Sequence, residues 1–156
     1  MYCVVYDSRG GTTKGVANNV AEFLGIESMD VKNILRGDKP FGLVKGFIFF
    51  TYTDKVGGVS KRTREFLTKH GDKMLGVVAN GSSDFKAMGM FAIAGDIIAK
   101  EYNVDILAKL DRGGTYEDAH NIVSQCVRIF GYKQEKVAYK PDITKRVGGL
   151  LQLERM

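Results

Sequence analysis

The 156-residue chain has little of what builds metal centres and cross-linked scaffolds: two cysteines, two histidines, two prolines and no tryptophan. Cys3 and Cys126 stand far apart with no Cys-x-x-Cys pair, which excludes a disulfide framework and a Cys-built zinc site. His70 and His120 are too few for a His-rich metal centre, and no metal is assigned. No apolar run approaches the roughly 20 residues of a membrane span, so no membrane partner is expected. Internal repeats and low-complexity tracts are also missing. A strand-like run directly after Met1 predicts that no secretory leader is present, and the free thiols then predict a cytoplasmic protein.

The length predicts a single domain. Its 23 basic and 18 acidic residues give a net charge of +5, unevenly spread. Residues 1–131 hold 17 basic and 15 acidic groups, and residues 132–156 hold 6 and 3. The reading is a nearly balanced domain over 1–131 and a basic C-terminal extension over 132–156, broken by Pro141 and Gly148-Gly149. A charged end of this kind is ordinarily a solvated tail, and no nucleic-acid partner is assigned.

Tyr2-Cys3-Val4-Val5-Tyr6 is a buried-strand run bounded by turn residues. Val16, Val20, Phe23 and Leu24 recur at helical spacing, predicting a helix over 12–24 that Gly25 stops. A short strand follows over 26–29, and the stretch 30–46 yields no assignment. Phe47-Ile48-Phe49-Phe50 is a third strand, followed by a helix capped by Ser60 and ended by His70-Gly71. His70 reads there as a surface cation at the helix end, and His120 as a solvated residue. A fourth strand spans 74–79. Phe91, Ala94, Gly95, Ile98 and Tyr102 form the inner face of a third helix, and a fifth strand spans 104–108. Thr115 with Asp118 forms a capping box for a last helix, whose stripe ends at Phe130. Short apolar strands alternating with helices predict an α/β protein: a doubly wound five-stranded parallel sheet, order 2-1-3-4-5, with helices on both faces.

In such a sheet, ligands bind beyond the carboxyl ends of the strands, where the strand order reverses. The candidate site is therefore the three loops 8–13, 51–58 and 80–86. Turn composition alone explains any one of them, but three polar, Gly-rich loops meeting at one edge favour a ligand. Ser8, Arg9, Gly10, Gly11, Thr12 and Thr13 open a helix, where free N–H groups and glycines suit a phosphate monoester. Neither a P-loop nor a dinucleotide fingerprint is present. A mononucleotide such as FMN fits better. Thr51, Tyr52, Thr53 and Gly57 make the second loop, with Tyr52 placed to stack on a flat heterocycle. Asn80, Gly81, Ser82, Ser83 and Phe85 make the third, with amide and hydroxyl groups for a ring's polar edge. No nucleophile or Ser-His-Asp set emerges, so no catalytic side chain is assigned and a cofactor must supply any reaction. Lys55, Lys61, Arg62 and Arg64 flank the second loop and read either as a solvated face or as a positive field beside the ring.

Asp7-Ser8-Arg9-Gly10-Gly11 before a helix, Thr51-Tyr52-Thr53 with Gly57, and the run Gly76 to Gly81 together resemble the NrdI family. So do Phe91-Ala92 before Asp96-Ile97, and Gly114-Thr115. The resemblance covers about residues 1–131 and departs at Ser82-Ser83-Asp84-Phe85-Lys86, in the length of 31–46 and in the tail. It implies a flavodoxin-like fold that holds FMN on the three loops and takes electrons from a flavin reductant. It also implies reduction of O2 to superoxide, which serves the dimanganese-tyrosyl radical cofactor in the class Ib ribonucleotide reductase small subunit. Two other readings stand beside it: a general electron carrier with the same cofactor, and a flavin-free NrdI-like interaction protein. A receiver domain shares the strand order, but it needs an acidic pair after strand 1 and an Asp ending strand 3, where Thr51 stands.

Overall fold

The computed structural model describes residues 1–54 and 58–131. Expectations for Lys55, Gly57 and the 132–156 extension lie outside the described residues. Within them, β1 (Tyr2–Asp7), β2 (Ser28–Asp30), β3 (Gly46–Tyr52), β4 (Met74–Gly81) and β5 (Ile106–Asp111) form one parallel sheet. Its order is β2-β1-β3-β4-β5, as the alternation of strands and helices predicts.

The central strands are apolar on both faces because each face carries its own helical layer. Val4, Tyr6, Ile48 and Phe50 pack under α1 (Thr12–Leu24) and α5 (Tyr116–Phe130). Cys3, Val5, Phe47 and Phe49 point the other way, toward α3 (Lys61–His70) and α4 (Ile93–Tyr102). Period-two alternation along a strand distributes one run of residues between two cores. Phe41, Phe47 and Phe66 fill the second core with edge-to-face ring contacts. The predicted stops and caps are present: left-handed Gly25, Ser60 accepting from Thr63 N, and the Thr115–Asp118 capping box.

Five readings change. The unassigned stretch holds α2 (Val31–Leu35), capped by Asp30, which accepts from Lys32 N at 2.9 Å and lets Val31 and Ile34 enter the core. The fifth strand lies later than expected, at Ile106–Asp111, and Phe91 precedes α4 rather than lying on it. His70 is half-buried against the rings of Phe41 (4.7 Å) and Phe66 (5.2 Å). Burial above all, with Lys73 and Lys69 adding, lowers its pKa, so it is a neutral packing group rather than a charged cap. His120 is half-buried, and its Nδ1 is buried with no hydrogen-bond partner among the described residues. Both thiols are core groups, and burial pushes each up to about 12.

Candidate functional site

β1 and β3 are neighbours in register, Asp7 beside Thr51, while their helices cover opposite faces. The chain therefore opens a crevice at their carboxyl ends. A cavity of about 520 Å³ lies at this edge, a volume in the range of small-molecule sites. Thr12, Tyr52, Thr53, Asn80, Gly81, Ser82 and Phe85 line it, so residues from all three expected loops meet there.

The first loop forms a left-handed turn at Gly11 (φ 94°) that starts α1 with no side-chain cap and no acidic residue in its first turn. The amides of Thr12 and Thr13 consequently have no intrahelical acceptor and carry the positive end of the helix dipole. Gly10 and Gly11 have open space where a Cβ would stand. Ser8 is committed to the loop itself: it is buried, and its Oγ accepts from Gly11 N at 3.0 Å. Thr13 is buried too, with its Oγ1 receiving Asn80 Nδ2 at 3.3 Å.

In the second loop, Thr51 is fully buried and donates to Tyr52 O, so it supports the strand end and does not line the cavity. Tyr52 carries the Arg9 guanidinium 5.0 Å from its ring centre. Thr53 Oγ1 is buried at the cavity wall and has no partner among the described residues. Such an atom needs an acceptor or donor from beyond the described residues.

Asn80 lines the cavity and also has a structural role: its Oδ1 accepts from Gly113 N at 2.6 Å while its Nδ2 reaches Thr13, so the amide cross-links three loops. Gly81 ends β4, and a Cβ there would meet Ala92 N at 2.8 Å. The rest of the expected third loop is a 3-10 helix, Ser83–Met88, capped by Ser82. Ser83 donates its amide to Asp111 Oδ1 at 2.9 Å. That bond foremost holds the Asp111 carboxyl below its ordinary range.

Sequence reasoning missed Met88, Met90 and Ala92, which give the cavity an apolar wall, and also Asp54 and Arg112. Arg112 adopts a left-handed φ of 50° and pairs with Asp84 at 2.7 Å. The two glycines that follow Asp111-Arg112 were the available signal for a sharp loop at this edge.

Two members of the basic cluster are held by carboxylates. Arg62 pairs with the buried Asp7 at 2.6 Å, and Arg64 with Glu101 at 3.3 Å. Among the described residues, the cations bordering the ring side of the cavity are Arg9, paired with Asp54, and Arg112.

The order β2-β1-β3-β4-β5, with a crevice at its switch point, defines a doubly wound, flavodoxin-like α/β protein. The family model described as NrdI Flavodoxin like matches residues 4–124, and the chain belongs to this family. Protein NrdI of Deinococcus radiodurans is 38% identical over 118 residues, covering 76% of this chain and 77% of that protein. Protein NrdI of Bacillus licheniformis is 31% identical over 130 residues, covering 83% and 90%. Among solved structures, a short-chain flavodoxin associated with a non-canonical PDU bacterial microcompartment matches with a TM-score of 0.63. Its identity is 17%, over 84% of this chain and 97% of that one. Fusobacterium nucleatum flavodoxin bound to flavin mononucleotide matches at 0.59 and 19%, over 86% and 97%. These likenesses show the flavodoxin-like fold. Among the described residues, no helix is long and apolar enough to cross a membrane, and no cluster of side chains suits a metal ion.

Proposed function

We propose that the cleft binds FMN and that the protein serves a class Ib ribonucleotide reductase as its flavoprotein activator. One observation carries the first half: the uncapped start of α1, the Tyr52 ring and the unpartnered Thr53 hydroxyl converge on one cavity. The amides and hydroxyls of Thr12 and Thr13, with Gly10 and Gly11 allowing close approach, suit the phosphate. Tyr52 and Phe85 suit the flat ring. Met88 and Met90 give that side an apolar wall. When bound, FMN supplies one-electron reduction of O2 to superoxide. The protein's own groups bind and orient the cofactor, and no acid, base or nucleophile is assigned among the described residues.

Family membership supports the second half. The superoxide would serve the dimanganese-tyrosyl radical cofactor of the reductase small subunit, and a separate cytoplasmic reductant would supply the electrons. Residues 1–131 are the flavin domain in this reading, and truncation after Gly131 is expected to leave folding and FMN binding intact. The test is an absorption spectrum with and without added FMN. It is followed by reoxidation in O2 with a superoxide trap, and by assay of radical formation in manganese-loaded small subunit. A colourless protein that takes up no FMN sinks the reading. Bound flavin whose reduced form is inert to O2 turns it into an electron carrier.

A further inference from the structure

The Asp7 carboxylate, the last side chain of β1, is fully buried directly before the loop that opens α1. Burial of a carboxylate is tolerated only with partners. Its Oδ2 accepts from Thr63 Oγ1 at 2.6 Å and Ser60 Oγ at 3.3 Å. Its Oδ1 accepts from Arg62 Nε at 2.8 Å. The same guanidinium reaches the Ser8 carbonyl at 3.5 Å. A fixed negative charge next to an anion cradle would repel a phosphate, and the neighbouring guanidinium cancels it.

Resting on the reading of the cleft as a flavin site, we propose that Arg62 is a specificity-determining residue for the phosphorylated form of the ligand. It neutralises Asp7 beneath the phosphate loop and is itself held in place by that carboxylate. The ring side of the cleft takes no part in this discrimination. A neutral ligand with the same ring, such as riboflavin, is therefore indifferent to the pair.

The test compares FMN and riboflavin affinities of the parent, Arg62→Met, Arg62→Lys and the double variant Asp7→Asn/Arg62→Met, each checked for folding by circular dichroism. Arg62→Met leaves Asp7 uncompensated and is expected to weaken FMN about tenfold or more while riboflavin stays within about twofold. Arg62→Lys keeps the charge and is expected to recover most of the loss. The double variant removes both charges and should return FMN to within about threefold of the parent. Equal weakening of both flavins, or a double variant no better than Arg62→Met, would mean a purely structural role and overturn the proposal. If the parent binds neither flavin, the flavin reading fails by itself. The inference is then decided with inorganic phosphate, by the shifts it causes in the Gly10–Thr13 amide resonances. Shifts in the parent that vanish in Arg62→Met support it, and identical behaviour or no response in either overturns it.

Discussion

The Arg9 guanidinium lies over the Tyr52 ring, 5.0 Å from its centre, and reaches Asp54 Oδ2 at 3.2 Å. One face of the tyrosine is thereby covered by the first loop, which ties the phosphate side of the cleft to its ring side. Tyr52→Ala is expected to weaken FMN by about 1–3 kcal/mol, the usual scale of a ring stacked on an aromatic side chain. Arg9→Ala removes the contact to that ring and the pair with Asp54, and is expected to cost at most about 1 kcal/mol. Fluorescence titration with FMN separates the two. A larger effect from Arg9 would mean that the guanidinium, not the ring, meets the ligand.

Two glycines at the cleft test different things. A Cβ at Gly10 meets nothing within 4 Å, so Gly10→Ala should change stability by less than about 0.5 kcal/mol. Any loss of FMN affinity in that variant reports crowding of the ligand itself. A Cβ at Gly81 would stand 2.8 Å from the backbone nitrogen of Ala92, which cannot move without shifting the start of α4. Gly81→Ala should therefore cost about 1–3 kcal/mol of stability before any ligand is added. Chemical denaturation of the flavin-free protein measures both. Gly11→Val is a poorer probe, because φ of 94° strains any side chain there.

Local signals were legible in the sequence, and signals made by tertiary contact were not. Ser60, Gly25 and the Thr115–Asp118 pair act on their own helix ends, so composition and spacing reveal them. The run from Phe47 to Phe50 announces a central strand because both faces are covered. By contrast, α2 is five residues long, too short for a helical period to show. The three loops were found from topology alone, but the contacts inside them were not. The links that Asn80 makes escape a sequence reading because its two partners lie 67 and 33 residues away in sequence. Arg62 looked like surface charge because Asp7 is 55 residues distant.

His70 gives the protein a pH-dependent stability. Its burial against Phe41 and Phe66, near Lys73 and Lys69, lowers its pKa below the ordinary 6.5. In the window between the lowered folded value and 6.5, the unfolded chain binds a proton that the folded chain does not. The stabilisation is therefore complete above 6.5 and is lost as pH falls through that window. The parent's Tm is expected to drop between about pH 7 and about pH 5, and His70→Leu is expected to flatten that drop. An unchanged slope in His70→Leu would assign the effect to other groups.

The wall made by Ser83–Met88 is fastened at the end of β5 by two bonds: Ser83 N donates to Asp111 Oδ1, and Arg112 pairs with Asp84. Arg112 N also donates to Gly81 O, at the end of β4, at 2.8 Å. The ion pair is exposed, so Arg112→Ala should leave global stability nearly unchanged, within about 1 kcal/mol. The same change frees the segment that carries Phe85 and Met88, and tryptic cleavage after Lys86 should rise several-fold, since proteolysis follows local opening. Asp111→Asn should act similarly by weakening the bond from Ser83. Because that bond holds the Asp111 carboxyl below its ordinary value of 3.8, the fastening is present above that value and is lost only as pH falls through the lowered one. The Ser83 amide is therefore expected to keep its hydrogen-exchange protection down to about pH 4 in the parent and to lose it at neutral pH in Asp111→Asn. Cleavage after Lys86 at the parental rate in both variants would show that the wall is held by its packing on the cavity rather than by β5.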